Sequence, residues 1–509
     1  MLNFLRNLWR NRRANVAVTF AVAALPVSMM TGMGVDIANA TRVKMALQDA
    51  TDEAAISMAR QQATIADSAI SSTALAYVQA SYTKTGTVTI TNATLDHTSV
   101  IATIDDQATV PMFFSQLIGV SSMKVNAHAV AQGLQLEVSL VLDTSGSMND
   151  TLGTGGTKIS ALRTAVSDFL TTMFGSQTTS QRVSIGIVPF ATNVRVVAAG
   201  STPDSTYMDT TGVEGDPYGD FDRTTYTRFQ LFTQMNQSWG GCVMTRPAPY
   251  DVTDDAPTTS TPATMFIPWF APDEPDTNLG WGYNQYENDY ILDTGGTCSG
   301  STSGKSDLWR EQRICKYKNA TPAYGLGPNF LCDSQAITPL TNTLSTLTTA
   351  ASTLTANGDT NIMEGLMWGW RVLSPGAPFT QGKSYTAPNN RKVIILMTDG
   401  YNNYGGASNM DDSYYFTYGF ARNGVLGTAT SNGTTLNSEL DAKTLQACTN
   451  AKAMGIVIYT IAFGSSADSS MLQTCATNST YAFWPQNSSD LDPVFQKIAQ
   501  SINNLRLSQ

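Results

Sequence analysis

A long segment without charged residues lies near the start of the chain. No charged residue lies between Ala14 and Val35, and these 22 residues could cross about 30 Å of hydrocarbon as a helix. Arginines stand just before the segment, at positions 6, 10, 12 and 13. The positive-inside rule therefore predicts a cytoplasmic N-terminus, with everything after Asp36 outside. The alternatives are a signal peptide, cleaved near Ala38–Ala40, and a buried core helix; the length of the run and the arginine cluster favour a retained anchor.

A helical pattern follows the apolar run. Apolar residues such as Val43, Leu47 and Ala54 recur at helical spacing and predict a long helix from Asp36 to about Tyr82. Alternating apolar and polar residues then predict three strands, at residues 87–91, 100–104 and 125–130. We therefore divide this region into a basic tail with a transmembrane helix, residues 1–35, and a small α+β juxtamembrane module, residues 36–131.

From residue 132 to 509, apolar runs typical of buried strands alternate with amphipathic segments typical of helices. The predicted strands lie at residues 136–142, 182–190, 391–398, 456–463 and 482–484. The predicted helices lie at residues 158–174, 440–453 and 491–505, with one more after Asn357. Strands that alternate with helices predict an α/β domain built on a doubly wound parallel sheet.

Side chains with oxygen atoms follow or precede several of these elements. The first strand runs into Asp143, Ser145 and Ser147, a later strand runs into Asp399, and Thr360 stands near the start of a helix. The carboxyl ends of parallel strands share one edge of a sheet, where α/β proteins usually bind ligands. Carboxylates and hydroxyls are hard donors that suit Mg²⁺, Mn²⁺ or Ca²⁺. Simpler alternatives are local turns at the aspartates and a helix N-cap at Thr360.

A large insertion interrupts this domain between its second strand and Thr360. Residues from about 195 to 337 are rich in Pro, Gly, Thr, Asp and aromatic residues. The insertion emerges near the predicted metal-bearing edge, where it would shape access to the ion. Its tryptophans could form a recognition surface, but such residues more often fill the core of a loop-rich subdomain. These are Trp239, Trp269, Trp281 and Trp309.

Six cysteines without any CxxC pair predict disulfides in an oxidising compartment. Cys448 and Cys475 are expected to pair with each other. The other four allow three pairings, between which the sequence does not choose; they are Cys242, Cys298, Cys315 and Cys332. Six buried thiols are the alternative. A zinc site is disfavoured because both histidines, His97 and His128, lie far upstream of every cysteine.

Charge and histidine content argue against two classes of function. The net charge of −10 gives no support to a nucleic-acid partner, because such binding needs clustered lysine and arginine. The one dense basic cluster is the group of arginines before the apolar run. No histidine follows residue 128, so the predicted α/β domain lacks the commonest general base, which argues against an enzyme.

The N-terminal region resembles a known bacterial family. Arg13-Ala-Asn-Val-Ala-Val-Thr-Phe-Ala, then Gly34-Val-Asp-Ile-Ala, then Leu47-Gln-Asp-Ala-Thr-Asp-Glu-Ala-Ala resemble the start of TadG-like proteins of the Flp pilus-assembly and tight-adherence systems. Pro111-Met-Phe-Phe-Ser-Gln-Leu-Ile-Gly-Val-Ser-Ser-Met is similar to the segment that follows in that family. The resemblance implies a single-pass inner-membrane protein whose main domain is periplasmic or at the cell surface. Its partners would be components of pilus or envelope assembly.

The predicted metal loops resemble a second family pattern. Asp143-x-Ser145-x-Ser147, with a distant threonine and a distant aspartate, resembles the metal-ion-dependent adhesion site of von Willebrand factor A domains. That resemblance implies that Ser145, Ser147 and Thr360 coordinate the ion through hydroxyls. Asp143 and Asp399 would contact the ion directly or through water. It also implies a von Willebrand factor A-like fold for residues 132–509, with Mg²⁺ as the expected ion and Mn²⁺ or Ca²⁺ as alternatives.

Together these patterns predict a non-enzymatic, cation-dependent protein-binding module that acts in Flp/Tad pilus assembly or surface adhesion. A cation held by few carboxylates keeps positive charge and an open position, which a carboxylate from a protein ligand can fill. One alternative is a structural envelope protein whose metal only stabilises the fold. Another is a metal-dependent hydrolase of the haloacid-dehalogenase type, which would need a second aspartate where Ser145 stands.

Overall fold

The computed structural model of the chain falls into two compact units, Met1–Leu134 and Gln135–Gln509. The residues that it describes are 12–61, 65–97, 100–153, 156–222, 226–276, 286–323 and 325–505. The arginines at positions 6 and 10 therefore lie outside the described residues.

In the first unit, the predicted membrane segment and the helix after it form one continuous helix, α1 (Arg12–Gln61), with Pro26 inside it. The side chains along the apolar run are mostly exposed, whereas a buried face that includes Val43 and Leu47 begins near Ala40. The prediction of a single helix to about Tyr82 is wrong. α1 ends at Gln61, and a second helix, α2 (Ile70–Ser81), follows after a short 3-10 turn. Helical spacing continues through both helices, so periodicity alone did not reveal the break.

Three antiparallel strands complete the first unit, in the order β1 (Thr87–Asp96), β2 (Ile101–Pro111) and β3 (Ser122–Gln132). β2 alternates buried and half-buried residues along nearly its whole length, so one face of the sheet is apolar. α1 and α2 pack on this unit's sheet and share its core. The predicted strands were shorter than those observed but lie within or beside them.

The second unit is built on a six-stranded sheet in the order β6-β5-β4-β7-β8-β9. Its strands are β4 (Gln135–Asp143), β5 (Val183–Phe190), β6 (Thr338–Thr341), β7 (Asn390–Thr398), β8 (Val457–Ala462) and β9 (Ala482–Phe483). The doubly wound α/β fold is confirmed, but the sheet is mixed because β6 pairs antiparallel with β5. β6 is a four-residue edge strand that contains a proline, so it left no alternating pattern in the sequence.

Helices cover both faces of this sheet. The described helices of this unit are α3 (Lys158–Phe174), α4 (Arg228–Gln234), α5 (Asp307–Glu311), α6 (Leu344–Ser352), α7 (Ile362–Leu373), α8 (Gly433–Ala453), α9 (Ser469–Cys475) and α10 (Ser488–Leu505); α4 and α5 lie in the connection between β5 and β6. α3 packs against α6 and α10, and α7 packs against α8. Every residue of α7 is buried.

The long connection between β5 and β6 contains the predicted insertion and leaves the sheet at the carboxyl end of β5. Trp239 and Trp269 are buried in its core, as in the simpler interpretation of the tryptophans. Trp281 lies outside the described residues. Two disulfides link the insertion, Cys242–Cys332 and Cys298–Cys315, and a third joins Cys448 in α8 to Cys475 in α9.

Candidate metal centre

The first loop of the candidate site follows β4. Asp143 ends the strand, and its Oδ1 accepts a hydrogen bond of 2.7 Å from the backbone N–H of Ser145. A short 3-10 turn, Gly146–Asn149, comes next. This aspartate and the serine after it thus form a compact turn in which Asp143 is fully buried. The local hydrogen bond is the one expected of Asp in a turn, and it leaves the other carboxylate oxygen free to face neighbouring loops.

The second loop carries Thr360, and backbone hydrogen bonds join it to the first. The N–H of Gly146 donates to the carbonyl of Gly358 at 2.8 Å, and the N–H of Asn357 donates to the carbonyl of Thr144 at 2.8 Å. The N-cap alternative for Thr360 is wrong, because Asn361 is the N-cap of α7 and accepts from the N–H of Glu364. The Thr360 side chain is therefore not needed to begin the helix.

The third loop follows β7, which ends at Thr398. The hydroxyl of Ser147 donates to Asp399 Oδ1 at 2.7 Å, and the hydroxyls of Ser145 and Ser147 lie 3.1 Å apart. Thr360 approaches the same loop, because a Cβ placed on Gly400 would lie 3.6 Å from Thr360 Oγ1. The structure thus brings all five predicted residues to one rim of the sheet.

Sequence reasoning missed two further residues at this rim. Thr398 Oγ1 donates to Asp143 Oδ2 at 2.6 Å, which connects the ends of β4 and β7. Lys158, the first residue of α3, donates from its ammonium to Asp399 Oδ2 at 2.7 Å in a buried ion pair. A lysine that begins an amphipathic helix directly after a loop rich in glycine and threonine was the available signal.

Burial raises the pKa of Asp143 to about 6, and the nearby Asp399 carboxylate contributes to the rise. Hydrogen bonds from Thr398 and Ser145 act in the opposite direction. A carboxylate that is buried beside another carboxylate is stabilised in its charged form by a cation. The two aspartates therefore form a small, desolvated anionic site that Lys158 neutralises only in part.

The chemistry of the donors fits a hard divalent cation. Two carboxylates and three hydroxyls lie together, and their hydrogen bonds to one another are of the kind that a cation can replace. Within the described ranges, no group of three or more His, Cys, Asp or Glu side chains is arranged so that these residues alone could hold a metal ion. A cation at this rim would therefore depend on hydroxyls and keep part of its positive charge.

Comparison with known families gives a match at the N-terminus. Residues 14–80 match the family described as Flp pilus-assembly TadE/G-like. This confirms the predicted resemblance for that region. No curated protein sequence matches the chain.

Solved structures similar to the chain include several proteins of pili and surfaces, at low identity. The von Willebrand factor domain of the type V pili tip protein Mfa5 from Porphyromonas gingivalis is 12% identical, with a TM-score of 0.33, over 73% of this chain and 96% of that one. A mutant of the PilB minor pilin from Streptococcus sanguinis is 11% identical, with a TM-score of 0.34, over 84% and 81%. Proximal thread matrix protein 1 from the mussel byssus, with a zinc-occupied MIDAS motif, is 11% identical, with a TM-score of 0.30, over 73% and 46%.

Proposed function

We propose that the chain is a membrane-anchored, non-enzymatic binding module of a bacterial pilus-assembly or adhesion system. In this proposal, the second unit holds a divalent cation at the rim formed by Asp143, Ser145, Ser147, Thr360 and Asp399. The convergence of the Ser147 hydroxyl on the Asp399 carboxylate, from loops far apart in sequence, is the observation that carries the proposal. The match of residues 14–80 to a pilus-assembly family supports the cellular setting.

The anchor in this proposal is the apolar part of α1. Among the described helices, it is the one long and apolar enough to cross a membrane. By the positive-inside rule, the arginines before it would keep the N-terminus in the cytoplasm. The second unit would then work in the periplasm or at the cell surface, which is an oxidising setting in which its disulfides persist.

Charge explains how the rim would bind a protein. Asp143 and Asp399 contribute two negative charges, Lys158 returns one positive charge, and a divalent ion adds two more. The occupied rim therefore carries net positive charge and attracts a carboxylate of a protein ligand, which can complete the coordination of a hard cation. Tyr401, two residues beyond Asp399 and 55% exposed, offers an aromatic contact beside it.

Calorimetric titration of the full-length protein in detergent with Mg²⁺ and Mn²⁺ tests the proposal. The wild type should bind one ion, and the Asp143→Ala variant should lose at least a hundredfold in affinity, because a buried charged ligand is removed. Asp168→Ala, which changes an exposed residue of α3, is the matched control and should bind like the wild type. Equal binding by the wild type and Asp143→Ala would contradict the proposed site.

The ligand-binding role is separable from a purely structural role of the metal. Envelope extract passed over immobilised wild type and Asp143→Ala should yield a protein that is retained by the wild type and released by a chelator. If chelation lowers the melting temperature but releases no partner, the metal has only a structural role. Phosphatase activity that disappears in Asp143→Asn would favour the hydrolase alternative instead.

A further inference from the structure

The loop between β2 and β3 exposes several large apolar side chains. This apolar loop runs from Met112 to Ser121 and contains no charged residue; Lys124 is the first charge after it. Its exposed apolar side chains, with their exposed fractions, are Phe113 (73%), Phe114 (45%), Leu117 (71%), Ile118 (53%) and Val120 (43%). A contiguous apolar patch on a folded surface indicates a partner that is itself apolar.

A carboxylate of α1 holds the apolar loop. Asp36 is the first residue after the uncharged run, and it is buried. Its Oδ2 accepts from the N–H of Phe114 at 2.9 Å, and from the N–H and the hydroxyl of Ser115 at 2.7 and 2.8 Å. Its Oδ1 accepts from the N–H of Phe113 at 3.1 Å. Charge-assisted hydrogen bonds of this kind are stronger than neutral ones, so they fix the loop where the apolar run ends.

A glycine lets the apolar loop pack against the helix below Asp36. A Cβ on Gly32 would lie 2.5 Å from Cγ of Phe114, so the ring occupies the space that any larger residue would need. Gly32 lies one helical turn before Asp36. If Ala14–Val35 crosses the bilayer, the run is about 33 Å long and its last turn lies at the edge of the hydrocarbon. The Phe114 ring therefore lies at that same depth.

Several backbone N–H groups of the apolar loop are hydrogen-bonded to carbonyls of the loop itself, as surroundings with little water require. The N–H of Met112 donates to the carbonyl of Ser121, and that of Leu117 donates to the carbonyl of Phe114. The N–H groups of Gly119 and Val120 also donate to carbonyls within the loop. An unpaired N–H is costly in hydrocarbon, so these internal bonds lower the cost of placing the loop against lipid acyl chains.

We propose that the apolar loop is a second membrane contact, seated in the interface of the leaflet at the Val35 end of the span. The occupant of its apolar surface is the upper part of the lipid acyl chains. Continuity with the exposed apolar surface of α1 supports lipid, because both surfaces meet at Gly32. The inference rests on the membrane anchor proposed above and goes beyond it, since one spanning helix needs no such loop.

Cysteine labelling tests the loop in the full-length protein. All six cysteines are in disulfides, so Leu117→Cys creates a single free thiol for an environment-sensitive fluorophore. The labelled protein is reconstituted in vesicles of phosphatidylethanolamine and phosphatidylglycerol that contain nitroxide-bearing lipid. The label at Leu117 should emit at shorter wavelength than a label at Thr94 and should be quenched severalfold more by the lipid nitroxide.

Thr94 is the matched control because it is exposed on the same small sheet but far from the loop. It pairs with Thr103 of β2, which lies about 26 Å along the strand from Pro111, where the loop begins. A second control, Val27→Cys, labels the apolar run itself. No lipid quenching at Val27 would show that the anchor is wrong, whereas quenching at Val27 without quenching at Leu117 would overturn the loop contact alone.

Two substitutions in α1 test whether Asp36 and Gly32 hold the apolar loop against the helix. In the Leu117→Cys background, Asp36→Ala and Gly32→Leu should each lower the lipid quenching at least twofold, because they release the loop from α1. Asp49→Ala, at an exposed position of the same helix, should leave it unchanged. A Leu117 label that aqueous iodide quenches as well as the Thr94 label would overturn the proposal. A label shielded from both iodide and lipid would overturn it in favour of a protein partner, such as a second copy of the chain.

Discussion

The two units differ in which side chains they expose and which they bury. The first unit leaves many large apolar side chains exposed, such as Phe20 in α1 and Leu117 in the apolar loop, and contains no cysteine. The second unit buries nearly all of its large apolar side chains, is joined by three disulfides, and gathers oxygen atoms at one rim. The difference teaches that the two units are distinguished by where their apolar and polar side chains are exposed, which the overall composition does not reveal.

Reduction of the disulfides should produce the largest difference in stability between the two units. Each disulfide closes a loop of 90, 17 or 27 residues, and each is expected to contribute about 3 to 5 kcal/mol to the free energy of unfolding. A reductant should therefore lower the melting temperature of the second unit by roughly 10 °C and leave the first unchanged. Tryptophan fluorescence follows the second unit, which holds seven of the eight tryptophans; amide hydrogen exchange follows the first.

A graded control accompanies this experiment. The variant with Cys298→Ser and Cys315→Ser opens the shortest loop and should lose the least stability of the three possible double variants. Faster amide hydrogen exchange in β1–β3 under reducing conditions would contradict the prediction, because the first unit contains no disulfide.

Removal of the lysine at the rim should strengthen metal binding. Lys158→Met deletes a positive charge beside Asp399, so Mg²⁺ should bind on the order of tenfold more tightly. Without Mg²⁺ the variant should be less stable than the wild type, because Asp399 loses its partner. Lys443→Met, which breaks the ion pair with Asp251 at 2.6 Å, is the matched control and should lower stability without changing the affinity. If Lys158→Met binds Mg²⁺ with the affinity of the wild type, the lysine has no influence on the site.

The stability that Asp143 adds to the second unit at low pH should be lost when Mg²⁺ is added. The folded pKa of Asp143 is about 6, above its usual value, so the metal-free unit binds an extra proton and gains stability as the pH falls from 7 to 5. Mg²⁺ requires the ionised form, so its affinity should fall about tenfold over the same interval. Melting curves at both pH values, with Mg²⁺ or with a chelator, measure the two trends, and parallel trends would contradict them.

The smallest expected effect concerns a buried carboxylate of the first unit. Burial raises the pKa of Asp106 to about 6, against a hydrogen bond from the Thr51 hydroxyl. The first unit should therefore gain roughly 1 kcal/mol or less as the pH falls from 7 to 5, with no response to Mg²⁺. Hydrogen exchange in β2 measures this gain, which Asp106→Asn should abolish.

Elements with a complete periodic pattern were predicted well from the sequence. The helix predicted at residues 158–174 has the bounds of α3, and the strand predicted at 391–398 matches β7 to within one residue. The edge strand β6 was missed, because its four residues are too few to show a pattern and it is recognised only by its pairing with β5. The pairing of the four cysteines in the insertion was equally inaccessible, since it depends on how a long irregular segment folds.

The grouping of the candidate site followed from topology, because strands that end at one edge bring their loops together. The contacts within it did not. Thr398 reaches Asp143 across 255 residues of sequence, and Lys158 reaches Asp399 across 241. Such contacts are set by the packing of α3 and β7 around β4, which no local pattern encodes. Metal binding at the five residues stays a prediction.

The parallel course of α1 and β3 decides how the first unit would bear mechanical tension. Asp36 lies by the apolar loop, Gln48 bonds to the backbone of His128 in β3, and Ala59 lies beside Gly133. The helix and the strand thus run side by side in the same direction. A pull between the start of α1 and the end of β3 loads their contacts in shear, all at once, instead of peeling them one by one. The contacts between α1 and β3 are therefore arranged to resist such a pull together.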